Sequence, residues 1–256
     1  MNILAIGDVV NPVAVEYLQN NLMRVRTEND VALTIVNGEN ASKANGLDAR
    51  DANDLLDAGA DVITGGNHSL RKYSLHALMN EDDRILRPAN FSPLAPGSGY
   101  TIVKAAGYSF LIINLSGRVY MDGADDPFAC ADRILSRCEG QYDFSVIDFH
   151  AEATSEKAAL ARYLDGRVSA VFGTHTHVTT ADEQVLPGGT GFITDLGFTG
   201  VHDSILGVRS DIIIKRMRTG LPDQFEGAQG EVKAYGAIFE LDEATGHTKS
   251  VRRIVF

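Results

Sequence analysis

The sequence predicts an α/β protein, and three observations carry that expectation. Six short apolar runs each close on polar residues, helix-like segments separate the early runs, and two later stretches read as hairpins. The runs are NILAIGD (2–8), VALTIVNGEN (31–40), ADVITGGNH (60–68), DFSVIDFH (143–150), VSAVFGTHTH (168–177) and TGFITDLG (190–197). Near-continuous Val, Ile, Leu and Ala without strict alternation marks strands covered on both faces. An alternating strand–helix order places the ligand crevice outside the carboxyl ends of the strands.

Taken in order, helices are expected at about 12–25, 48–58 and 69–80. Within ANDLLDAGAD, Leu55 and Leu56 lie to one side and Gly59 supplies a stop. GYTIVKAAGYSFLIINLSG (99–117) reads as two strands joined by a tight turn at Ala106-Gly107. EVKAYGAIFELDEATGHTKSVRRIVF (231–256) reads as another hairpin, turning around Ala244-Thr245-Gly246. These hairpins predict a second sheet, more antiparallel than the first. No repeat, low-complexity tract or linker interrupts the chain, so one domain over 1–256 is expected.

Composition narrows the function. A chain of 256 residues buries roughly 70% of its unfolded surface and needs no disulfide staples. A formal net charge of -11 disfavours long nucleic acid and anionic membranes as partners, although local metal charge can still attract a small phosphorylated substrate. Cys130 and Cys138 match no compact metal motif and are expected as free thiols on or near a helix. The opening MNILAIGD has no basic or signal-like region, and no stretch reaches the roughly 20 apolar residues of a membrane span. A soluble cytoplasmic protein is the expectation.

The informative pattern is where the polar residues fall. Asp8, Glu39, Asn40, Asn67, His68, His150, His175 and His177 all follow apolar runs, so crossovers would bring them to one rim of a sheet. His175 and His177 form an HxH pair; were both to continue an extended strand, they would point to one side. Imidazole nitrogen with carboxylate oxygen suits Zn, Fe, Mn or Co. Each residue also has a bland reading: Asp8 as a helix cap, Glu39, Asn40 and Asn67 as turn residues, and each histidine as a side chain bonded to backbone or packed in the core. Together, two carboxylates, two amides and three histidines exceed one ion's shell. Two ions about 3.5–4 Å apart, sharing Glu39 and a hydroxide, can use them all. That inventory favours hydrolysis of a phosphoester, whose anionic oxygens repel hydroxide until cations screen them.

Longer motifs add to these residues: AIGDVV, NGENA, GGNH, LRPANF, DDPF, DFHAEATSEK and GTHTHVTTADE with LPGGTGFITDLG. Their sequence resembles the YmdB-type group of calcineurin-like metallophosphoesterases, nearly from Met1 to the C-terminal hairpin. The resemblance implies a four-layer α/β/β/α sandwich of two packed mixed sheets. It implies a dinuclear centre of two divalent or trivalent ions, iron ahead of manganese and zinc. It implies a phosphodiesterase that hydrolyses cyclic mononucleotides, 2',3'-cyclic and 3',5'-cyclic forms, by a metal-bridging hydroxide. Carried over, Asp8, Asn40 and His177 hold the first metal, Glu39 bridges, and Asn67, His150 and His175 complete the second. His68 is similar to the non-ligand histidine that approaches the leaving group. Self-association is a further expectation of the resemblance.

Departures qualify the likeness. VVNPVAVEYL stands where the group commonly has a Gly-Lys-Pro-Gly-Arg-like turn, which puts phosphate contacts there, though not metal binding, in question. His202 occupies a place where relatives often show a Pro-Tyr-like pair. Asp148, Glu152 and Asp182 are candidates to hold ligand imidazoles, and Arg118 could reach a phosphate, against ordinary surface roles for each. An amidohydrolase would carry its HxH pair early, on a first barrel strand. The alternatives kept are a metal-binding regulatory protein with weak or no catalysis, favoured by the altered VVNPV, and a structural protein, for which unpaired buried charge would be costly.

Overall fold

The computed structural model describes residues 1–121 and 123–256. Its first half runs β1 (Asn2–Ile6), β2 (Asp8–Val9), α1 (Pro12–Glu28), β3 (Val31–Asn37), α2 (Ala49–Asp57), β4 (Val62–Thr64) and α3 (Tyr73–Glu81). Then come β5 (Tyr100–Ala105), β6 (Tyr108–Ser116), α4 (Pro127–Arg137), β7 (Phe144–His150), α5 (Thr154–Tyr163) and β8 (Ala170–Thr174). The chain closes with β9 (Gln184–Val185), β10 (Gly191–Ile193), β11 (Phe198–Val201), α6 (Ser210–Thr219), β12 (Val232–Leu241) and β13 (Thr248–Val255). Among these residues, one sheet has the order β2-β11-β12-β1-β3-β4, with β13 also paired to β12. The other has the order β5-β6-β7-β8-β10-β9.

Both sheets are mixed, and helices cover their outer faces, giving the expected α/β/β/α sandwich. Two-residue periodicity explains the layering. On β1, Leu4 and Ile6 join the cluster under α1 and α2, whereas Ile3 and Ala5 join the cluster between the sheets. On β7, Ile147 and Phe149 pack with α4 and α5, while Phe144 and Val146 face the opposite sheet. Phe110 and Phe144 stack there at 5.1 Å between centroids. Both faces of these strands are therefore buried, which is why their sequences lack clean alternation.

Two expectations need correction. The hairpins do not together build a second, more antiparallel sheet: β5–β6 edges one sheet and β12–β13 completes the other. The first sheet is the more antiparallel, with β12 antiparallel to β1, β11 and β13. An antiparallel partner needs only a free edge of matching pattern, and β1 offers one. The third helix starts at Tyr73, since the chain from Gly66 to Arg71 is spent on a turn whose amides bond Gly66 O and His68 O.

The turns themselves lie where expected. Ala106 and Gly107 both have positive φ between β5 and β6, and Gly246 has φ 75 in the last hairpin. Cys130 lies on α4 and Cys138 caps it, both buried and unpaired with each other. No helix among the described residues is long and apolar enough to cross a membrane. Phe144→Ala removes the ring that fills the space between the sheets. It should cost about 3–5 kcal/mol in urea unfolding while leaving the far-UV spectrum of the folded protein unchanged.

Candidate metal centre

Inward positions along the strands change character toward one end of the sandwich. Leu33 and Ile35 are followed by Asn37, Val62 by Thr64, Phe110 and Ile112 by Asn114, Val146 by Asp148, and Ala170 and Phe172 by Thr174. All five polar residues are buried. Buried polar groups need partners, and these find one another across the two sheets. Asp148 accepts from Asn37 Nδ2 at 2.8 Å, from Thr174 Oγ1 at 2.7 Å and from Thr64 Oγ1. Asn114 accepts from the Gly65 amide and donates to Gly65 O. This floor supports the residues just beyond the strand ends.

Above it the structure brings together Asp8, Glu39, Asn40, Asn67, His68, His150, His175 and His177. Asp8, Glu39 and His150 are essentially fully buried. His150 Nε2 lies 3.1 Å from Asn67 Oδ1, 3.1 Å from His175 Nδ1 and 3.7 Å from Glu39 Oε1. A second knot has His177 Nε2 at 3.5 Å from Asp8 Oδ1 and 3.2 Å from the Asn40 side-chain amide. Asp8 Oδ1 and Glu39 Oε2 are buried without a hydrogen-bond partner. Asp8 does not cap a helix; Asn11 stands at the N-cap of α1. Among the described residues, no three His, Cys, Asp or Glu side chains meet in a ready-made metal cage. The donors lie against one another instead.

Tautomers follow from the outer contacts. Thr174 donates to Asp148, so His150 Nδ1–H donates to Thr174 Oγ1 at 2.9 Å and its Nε2 keeps a lone pair. Glu152 lies 3.1 Å from His175 Nε2 and takes that proton, which leaves His175 Nδ1 as an acceptor facing His150. Gly66 leaves room for the His150 ring, because a Cβ there would collide with it.

The electrostatics are those of a cluster lacking positive charge. Burial pushes Glu39 well above the usual carboxylate range, and the charges of Asp8 and Asp148 add to it against the hydrogen bond from the His68 amide. Burial likewise lifts Asp148 to about 7 against its three side-chain donors. For Asp8, burial is outweighed by His177, His150 and the His175 amide, which hold it below the ordinary value. Burial drives His150 well below its usual value and lowers His175 and His68, the last to about 4. His177 is raised despite burial by the charge of Asp8, whose Oδ1 stands 3.5 Å from its Nε2.

The HxH pair is not extended. β8 stops at Thr174, and His175 and His177 have φ 99 and 63, the left-handed region that ordinary side chains avoid. Asp195, just after β10, forces this path. It accepts from Thr176 N and Oγ1, from Gly197 N and from the buried Lys157 Nζ at 2.6 Å. Gly173 leaves room for that clamp, because a Cβ would strike Thr194 O and the Lys157 stem.

Other candidates are sorted by the same contacts. Glu152 reaches His175 directly, and Asp148 reaches His150 through Thr174. Asp182 holds no imidazole and instead bonds Thr180 and Thr194. His202 pairs with Tyr235 Oη at 2.9 Å, near Phe198 and His177 in a separate hollow. Arg118 is exposed, and its backbone amide donates to Glu156. Sequence reading missed Lys157 and Asp195, which lie 38 residues apart, and the polar floor, which the inward-position switch at each strand end would have revealed.

The YmdB-like family model matches residues 4–254. The chain belongs to that family of calcineurin-like metallophosphoesterases. It is 43% identical to a Bacillus subtilis protein named 2',3'-cyclic-nucleotide 2'-phosphodiesterase, over 100% of this chain and 97% of that protein. A crystal structure of a hypothetical protein from Thermus thermophilus superposes with a TM-score of 0.93 at 39% identity, covering 100% of this chain and 99% of that one. A crystal structure of a novel phosphatase from Mycoplasma pneumoniae gives a TM-score of 0.93 at 29% identity, covering 100% and 93%.

In this member of the YmdB-like family, Lys157→Met leaves Asp195 buried without its cation. It should destabilise the protein by about 3–5 kcal/mol in guanidinium unfolding, and adding Asp195→Asn should recover part of the loss.

Proposed function

We propose that the chain is a metal-dependent phosphodiesterase acting on small phosphodiesters, with cyclic mononucleotides, 2',3'-cyclic before 3',5'-cyclic, as the class to test. The observation that carries this reading is the pair of buried, unpartnered carboxylate oxygens, Asp8 Oδ1 and Glu39 Oε2, set among amide and imidazole donors. Similarity to the Bacillus subtilis phosphodiesterase supports it.

The donors fit a metal pair. Ligands about 2.0–2.2 Å from one centre stand roughly 3 Å or slightly more from each other. Asn67 Oδ1 and His175 Nδ1 have that spacing from His150 Nε2, with Glu39 Oε1 at 3.7 Å. Asp8, Asn40 and His177 would hold the other ion, with Glu39 spanning both. Turning the Asn40 amide by 180°, a change invisible to its shape, presents its oxygen on the His177 side. Iron is the first metal to test, then manganese and zinc. Bound there, two cations would screen the phosphoryl oxygens and lower the pKa of water.

The chain's own residues set the rest. Asp148 through Thr174 and Glu152 directly fix which nitrogens of His150 and His175 carry protons. His68 Nδ1 stands between the Asn40 side-chain amide at 3.0 Å and Glu39 Oε1 at 3.2 Å, which orient the ring. His68 lines the open cleft. Burial lowers its pKa to about 4, so near pH 7 it would meet the leaving oxygen as a neutral hydrogen-bonding ring rather than as an imidazolium.

Elemental analysis of the freshly isolated protein should find close to two metal ions per chain. Metal-loaded protein should hydrolyse bis-p-nitrophenyl phosphate, chelation should abolish turnover, and His150→Ala should lose both metal and activity. His68→Ala should keep its metal while kcat falls about 10²-fold; unchanged turnover with full metal would remove His68 from the mechanism. A wild-type protein that binds metal and hydrolyses no phosphodiester would leave the regulatory reading.

A further inference from the structure

The site opens into a cleft of ≈ 360 Å³. Asn40, His68, His175 and His177 line it. Leu206, Ile213, Met217 and Phe225 line the same space and give it an apolar portion, with Asn11, Asn45 and Glu226 as polar neighbours. Met217 is 80% exposed and Phe225 50%, with the Arg216 guanidinium 4.9 Å from the Phe225 ring centre holding that ring in place. Such apolar exposure is costly in water unless something uses it.

One wall residue is also strained. Ile205 and Val208 exchange both backbone hydrogen bonds, at 3.0 and 3.1 Å, so Leu206 and Gly207 form a two-residue turn. Their φ values are 54 and 89. Turns with both central residues at positive φ favour Asn, Asp and Gly. Gly207 fits that demand, and a Cβ on it would press to 2.5 Å from Val10 Cγ1. Leu206 does not fit it. An L residue with a branched apolar side chain is disfavoured in this conformation, and 44% of Leu206 remains exposed. The turn gains nothing from leucine, whereas the cleft that three histidines line gains an apolar surface.

We propose that the Leu206 turn, with Met217 and Phe225, forms a shelf that grips the planar organic group of a phosphoester and so selects aromatic or heteroaromatic substrates over small alkyl ones. The proposal rests on the phosphodiesterase reading, which puts the phosphoryl group against the histidine side. A flat ring laid on the shelf replaces water on both itself and three apolar side chains. A methyl group in its place covers little of that surface.

Calorimetric titration of the metal-loaded full chain with phenylphosphonate and with methylphosphonate tests this. The wild type should bind phenylphosphonate about tenfold tighter. Met217→Ser and Leu206→Asn should each cut that preference at least about threefold and leave methylphosphonate affinity unchanged. Leu206→Asn should also melt about 2 °C higher, because asparagine accepts the turn conformation. Methylphosphonate binding with no phenyl preference, or a preference untouched by both variants, overturns the shelf alone. Failure of methylphosphonate to bind overturns the phosphodiesterase reading and the shelf with it. A lower melting point for Leu206→Asn with the preference intact assigns the leucine to the fold. Sedimentation showing that the variants dissociate a dimer, with the preference intact, assigns the shelf to a second copy of the chain; either result overturns the proposal.

Discussion

The Asp148 carboxylate holds the two halves of the sandwich in register at the end that matters. Its three side-chain donors come from β3, β4 and β8, so one buried group ties three strands of two different sheets to a fourth, β7. An apolar contact could not do this, because dispersion is indifferent to small slides whereas hydrogen bonds fail beyond a few tenths of an ångström. Burial raises the cost of holding Asp148 as an anion, and the three donors offset that cost only while all are present. Both Asn67 and His150, from opposite sheets, inherit their separation from this arrangement.

Around that anchor the molecule accepts a high density of acidic groups. Asp8, Glu39 and Asp148 stand within one buried cluster, where the charges of Asp8 and Asp148 raise Glu39 and that of Asp8 raises Asp148. Lys157 does not relieve this; its ammonium is committed to Asp195 at 2.6 Å. That pair has a different task, which is to bend the chain through His175 and His177. Two residues at positive φ cost of order 1–3 kcal/mol each, and the surrounding bonds to Thr176 and Gly197 over-determine the path. The outcome is one end of the sandwich where carboxylates, amides and imidazoles are held close together on a strained stretch of backbone.

Much of this was legible in the chain. The apolar runs located the central strands because both faces of the sandwich are covered, and polar residues after each run pointed to one rim. The hairpin turns announced themselves through Ala106-Gly107 and Gly246. What escaped was long-range. The pairing of β12 with β1 depends on residues more than two hundred positions apart, and no local pattern encodes it. SDIIIKRMRT forms α6 although its three isoleucines favour a strand. The bend through the HxH segment was not legible because the group that bends it, Asp195, lies some twenty residues on, in the loop after β10.

The strand order carries a consequence for how the molecule is made. In the first sheet β12 sits between β1 and β11, although more than two hundred residues separate it from β1. While the polypeptide is still being synthesised, β1 and β3 can pair, yet the flank of β1 stays open until β12 has been made. The nascent chain therefore carries an exposed, apolar strand edge over that whole interval.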